Sequence, residues 1–188
     1  PECSSCHDNT HETQLALFTG TGGKNVADHP NPMFESGLNC QACHLFHDVS
    51  KETSIFGDVS IATYESCDIC HGSGYNKLLI NWKVLMDKKI HFLDSLYKEV
   101  VNETNLKDEG NDKEHAKSLI YDAKYNFELV KMGNIVHNVA YSDELLLSAY
   151  KNLSNSLKTI NSETNLPEYK LYGQNVPSDC GNCHYGQE

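Results

Sequence analysis

Every cysteine of this chain sits in one repeated arrangement, and that arrangement limits what the chain can become. The 8 cysteines fall as Cys3/Cys6, Cys40/Cys43, Cys67/Cys70 and Cys180/Cys183, each pair separated by two residues, with none left over. A histidine follows every pair at once, giving CSSCH, CQACH, CDICH and CGNCH, with His7, His44, His71 and His184 in fifth place. Only 10 of the 188 residues are histidine, so composition does not explain the placing. Paired CxxC units also build tetrahedral zinc sites and disulfide frameworks, yet neither chemistry calls for histidine directly after the second cysteine. Haem attachment does: one helical turn presents both thiols to the vinyl edges of a porphyrin while the adjacent imidazole reaches the iron. The sequence therefore predicts four covalently attached haem c groups, bound through the eight cysteines and ligated by His7, His44, His71 and His184.

Bis-histidine ligation of four irons needs four of the six other histidines, His11, His29, His47, His91, His115 and His137. His47 follows His44 by three residues and His11 follows His7 by four. Trans ligands approach an iron from opposite faces, which two imidazoles on one short turn can hardly do. Each is therefore expected to serve a different haem, so that neighbouring haems lie close together as a chain. The plainer reading of either residue is an exposed or hydrogen-bonded histidine.

Hydrophobic periodicity sorts the rest. Leu79, Trp82, Met86, Ile90, Leu93, Tyr97 and Val100 recur at spacings of three and four, one stripe of an amphipathic helix that should stop near Asn102. A second stripe runs through Ala116, Leu119, Ala123, Phe127 and Val130, and its extension lands on Asn134 and His137, predicting that His137 faces inward. A third helix is expected from Ser142 as N-cap, with Asp143 and Glu144 in its first turn and Leu146, Ala149, Leu153, Leu157 and Ile160 along its inner face. His91 stands off its stripe beside Asp87, Asp94 and Lys98, and His115 shares a face with Ser118, Asp122 and Asn126, so both read as solvated. His29, between Asp28 and Pro30 with Pro32 beyond, sits in a stiffened loop suited to aiming a ligand. The expected distal set is His11, His29, His47 and His137.

Composition narrows the partners. With 26 acidic residues against 15 basic ones, all lysine, the net charge is −11, and no basic tract is present to bind nucleic acid or anionic lipid. No apolar run is long enough for a membrane anchor. Only 6 Phe and 1 Trp are on offer for a core, which leaves room for something other than side chains to fill it. The chain starts at Pro1 rather than Met and reaches a motif cysteine by residue 3, as a secreted protein does after loss of its leader. Thioether attachment also takes place outside the cytoplasm, so a periplasmic or extracellular location is expected. The expected fold is mainly α with extensive loops, a multihaem cytochrome c built around stacked haems and carrying a helical insert. It forms one domain with a three-haem segment (1–76), the insert (77–166) and a C-terminal haem segment (167–188).

CQACHLFH is similar to the CxxCHxxH units of bacterial multihaem electron-transfer cytochromes, and LVKMGNIVHNVAYSDELL resembles their distal-ligand helix, which implies a distal ligand at His137. Three motifs crowded into the first 71 residues, a helical insert and a fourth motif at the far end resemble the tetrahaem cytochromes of the OmcE type, which polymerise into extracellular filaments. That likeness implies a head-to-tail homo-oligomer, with redox proteins or extracellular acceptors as partners. The fourth haem has no histidine after His184, and the nearest before it is His137. A neighbouring subunit's His11 or His29 is thus a candidate to complete it. The alternatives are a diffusing periplasmic tetrahaem shuttle and a nitrogen-compound reductase with one open iron. The absence of arginine, the usual bidentate anion clamp, weighs against the reductase.

Overall fold

The computed structural model describes residues 11–47 and 60–169. The first and fourth motifs, with Cys3, Cys6, His7, Cys180, Cys183 and His184, lie outside them, as does the side chain of His47. The described chain is mainly helical. In order it forms α1 (Glu12–Thr19), α2 (Pro32–Glu35), a 3-10 turn (Cys40–Ala42), strands β1 (Phe46–His47) and β2 (Ser60–Ile61), α3 (Glu65–His71), α4 (Tyr75–Asn105), α5 (Asn111–Gly133), a second 3-10 turn (Ile135–His137) and α6 (Val139–Thr159). The two strands pair antiparallel, Phe46 opposite Ile61 and His47 opposite Ser60.

Three long helices, α4, α5 and α6, pack together, and α1 lies along α5. Their stripes explain why. Met86, Leu93 and Val100 of α4, Ala116, Ala123, Phe127 and Val130 of α5, and Leu146, Ala149, Leu153 and Leu157 of α6 are all buried in one cluster. Each such leucine, valine or methionine contributes roughly 1.5–3 kcal/mol on leaving water. Among the described residues the core is thus made of side chains, chiefly Leu, Ala and Ile, so the shortage of Phe and Trp does not leave it unfilled. Leu17 brings α1 into the same cluster. Gly133 permits this approach, since a Cβ there would lie 2.6 Å from Leu17 Cδ1 and 2.7 Å from the Thr13 carbonyl.

The helix ends differ from the expectations at three places. α4 continues past Asn102 to Asn105, because Thr104 is buried with its hydroxyl donating to the Val100 carbonyl, 2.8 Å. Lys113 closes the following turn by donating to the Lys107 carbonyl, 2.7 Å, and to Glu109, 2.8 Å. α6 is capped by Asn138, not Ser142: the Asn138 side chain accepts from the Tyr141 N–H at 3.0 Å, and Ser142 is fully buried within the helix. Asp143 instead pairs with the buried Lys89 of α4. Finally, α5 stops at Gly133 and Asn134 takes φ +58, so His137 is carried by a separate turn and not by the α5 stripe. On the face that His115 shares, His115 is exposed but Asn126 is buried, donating to the Lys24 carbonyl (2.9 Å) and accepting from the Lys24 N–H (2.7 Å).

Candidate functional site

The second and third motifs adopt the local shapes that their spacing asks for. Cys40 opens a 3-10 turn whose N-cap, Asn39, accepts from the Gln41 N–H at 3.0 Å, and the His44 N–H returns to the Cys40 carbonyl at 2.9 Å. Cys67, Cys70 and His71 share α3, where positions i, i+3 and i+4 fall on one face. Asp68, on another face, accepts from the Asn76 N–H at 3.1 Å and joins α3 to the start of α4. The β1–β2 pairing and a hydrogen bond from Ser66 Oγ to the Cys43 carbonyl, 2.8 Å, bring the two motifs side by side.

Cys40, Cys43, Cys67 and Cys70 carry no disulfide. Burial raises the Cys43 thiol above its usual pKa, with Cys70 adding to the effect; burial also raises Cys67, helped by Cys43 and Asp68. These are protonated thiols, not thiolate nucleophiles of the activated kind. Among the described residues no group of three or more His, Cys, Asp or Glu side chains is disposed to hold a metal ion. A haem iron asks for less, two axial imidazoles, because the porphyrin supplies its other four donors.

Three of the histidines, His29, His44 and His137, share one kind of ring contact. His137 Nδ1 lies 2.7 Å from the Gly133 carbonyl and 3.1 Å from that of Asn134. His44 Nδ1 lies 3.2 Å from the Ser60 carbonyl, and His29 Nδ1 lies 2.9 Å from Glu144 Oε1. A carbonyl oxygen has no proton to give, so Nδ1 is the donor in His137 and His44, and in the neutral form of either ring the lone pair then sits on Nε2. The carboxylate of Glu144 selects the same arrangement in His29. This is how ligating histidines are held: an acceptor on one ring nitrogen fixes tautomer and orientation and frees the other nitrogen for a metal. Burial lowers the His137 pKa; the carbonyl bonds partly offset this, and charge on His44 and His11 lowers it further, so its imidazole stays neutral at physiological pH.

Three of the four expected distal ligands gather at one corner. His11 is the N-cap residue of α1, although its side chain does not cap the helix. Two residues on, Thr13 packs against Gly133, and Gln14 donates to the Met132 carbonyl at 3.1 Å, which sets His11 beside the turn that carries His137. His29 follows the return of the chain from α1: its N–H donates to the Gly20 carbonyl, 2.8 Å, and Asn31 N–H to that of Phe18, 3.2 Å. His47 belongs to β1, near His44 in the chain. His71 stacks on Tyr75, ring centroids 4.2 Å apart. His91 and His115 are exposed on α4 and α5, as their positions off the stripes predict.

Sequence reasoning missed Asn31, Asn138 and Glu144, the side chains that hold this corner together. The Asn31 amide donates to the His137 carbonyl at 2.6 Å, and the Asn138 amide to the His29 carbonyl at 2.7 Å. The Asn-Pro step at residues 31 and 32, an N-cap followed by Pro at N1, was a readable signal for the first of them.

Compared with known protein families, with curated proteins and with solved structures, the chain matches none. No helix among the described residues is long and apolar enough to cross a membrane.

Proposed function

We propose that this protein is a multihaem c-type electron carrier in which each of four irons is held by two histidines. The observation that carries the reading is the shared state of His29, His44 and His137, each tied at Nδ1 to an oxygen and so left with Nε2 as a metal donor. Cys40, Cys43, Cys67 and Cys70 supply the thiols for two attachments, with His44 and His71 as proximal ligands. Cys3, Cys6, His7, Cys180, Cys183 and His184 supply the other two. His11, His29, His47 and His137 serve as distal ligands.

When bound, haem iron supplies a one-electron ferric–ferrous couple. The chain's own part is ligation, orientation and spacing. The β1–β2 pairing and the Ser66 bond hold the second and third motifs adjacent, which supports short steps between neighbouring haems. Leu15, Phe34, Leu38, Leu45, Phe46 and Ile69 are exposed in the same segment, as suits side chains that flank an apolar macrocycle.

The finer reading follows the resemblance to OmcE-type cytochromes: an extracellular subunit that polymerises head to tail. The test has two parts. Intact-mass measurement of the purified protein should give the polypeptide plus four haems; a mass without haem, or with zinc, overturns the function. Electron microscopy should then show filaments, whereas monodisperse particles would replace the filament with the periplasmic shuttle.

A further inference from the structure

We propose that Asn31 and Asn138 form a reciprocal bracket that aims two distal ligands, His29 and His137, as one unit. The proposal rests on the haem reading above and concerns positioning: neither asparagine ligates iron. Asn31 is the N-cap of α2, accepting from the Met33 N–H at 2.8 Å, and Asn138 is the N-cap of α6. Each uses its oxygen for its own helix and its NH2 for the other histidine's carbonyl, Asn31 to His137 and Asn138 to His29. Both are buried, 6% and 2% exposed.

Capping alone does not explain this pair of residues. Serine or aspartate caps a helix as well as asparagine does. Only a short side chain that accepts on one atom and donates on another can cap its own helix and cross-tie to the facing loop. Because the oxygens are committed to the caps, the direction of both amides is fixed. Removing either NH2 leaves a carbonyl unpaired and loosens the facing loop, and through the other cross-tie it loosens both.

The ring contacts extend the same unit. Glu144 lies on α6, the helix that Asn138 caps, and holds His29 at Nδ1. The Gly133 carbonyl, at the end of α5, holds His137. A shift of the α6 start relative to α2 therefore turns both imidazoles. Two independent pockets would not behave so.

The experiment uses the purified haem-loaded protein and the single variants Asn31→Ser and Asn138→Ser, which keep a cap and lose the cross-tie. Low-spin ferric signals are followed by electron paramagnetic resonance, and haem potentials by spectroelectrochemical titration. The expected result is that each variant shifts the signals of the same two haems out of four, with haem content and helicity retained. A shift confined to one haem, a different one in each variant, would show two separate pockets and overturn the bracket; so would no shift in either. Should the variants fail to fold, hydrogen exchange on the unsubstituted holoprotein decides. The amides of His29, Asn31, His137 and Asn138 should then open at one common rate, and rates differing by tenfold or more between the two loops overturn the proposal. Haem counting on the unsubstituted protein tests the function by itself, so four haems with no bracket effect would reject this inference alone.

Discussion

Gly20→Ala should be among the most damaging small substitutions in this protein, for reasons that can be separated. Gly20 closes α1 with φ +66, in the left-handed region, where a Cβ costs roughly 1–2 kcal/mol. The added Cβ would also lie 1.9 Å from the His29 carbonyl oxygen, which is backbone and must move. That displacement breaks the bond from His29 N–H to Gly20 and the one from Asn138 to the His29 carbonyl, each contributing about 1 kcal/mol. The loss should reach about 3–4 kcal/mol, a fall in melting temperature of roughly 10 °C for a domain of this size. Gly22→Ala is the internal control: its φ is +86, yet the nearest atom to the new Cβ is 3.9 Å away, so only the conformational cost applies. Thermal melts followed by circular dichroism give both values, and the visible spectrum reports whether His29 has left its place. If Gly20→Ala is no more destabilising than Gly22→Ala, the argued role of the His29 carbonyl is wrong.

His137→Ala removes a proposed iron ligand and the ring bond to Gly133, and should convert one haem to high spin while lowering the melting temperature; an unchanged absorption spectrum and melt would count against it. His91→Ala and His115→Ala, at exposed positions, should leave the haem spectrum intact and alter stability by less than about 0.5 kcal/mol, and loss of a low-spin haem in either would show that the faces were sorted wrongly. Lys89 is fully buried against Asp143, which is 24% exposed, so Lys89→Met should cost about 2 kcal/mol by stranding the carboxylate. Adding Asp143→Leu should restore most of that in denaturant melts; a double variant no more stable than the single one would contradict the pairing argument.

The helices were legible because their signal is repeated. Leu93, Phe127 and Leu153 each belong to a stripe in which five or more residues agree. The cysteine motifs were legible for the same reason, four occurrences of one pattern. Single residues at helix ends were harder. Ser142 looked like an N-cap because acidic residues follow it, but Asn138 caps α6 one turn earlier and Asp143 answers Lys89 from within the helix. The period that points to His137 runs past Gly133, where the helix has already ended; His137 stands instead on a short turn, tied by contacts that no period encodes. Nor does local sequence announce the bonds between residues 31 and 137 or 29 and 138, since each partner's role depends on a segment more than 100 residues away.

Quantitative electron paramagnetic resonance of the oxidised, purified protein tests the central claim most directly. The account expects four low-spin ferric haems per chain and no substantial high-spin signal, because eight histidines are assigned to eight axial positions. A high-spin signal amounting to one iron in four, or a protein without haem iron, would contradict it.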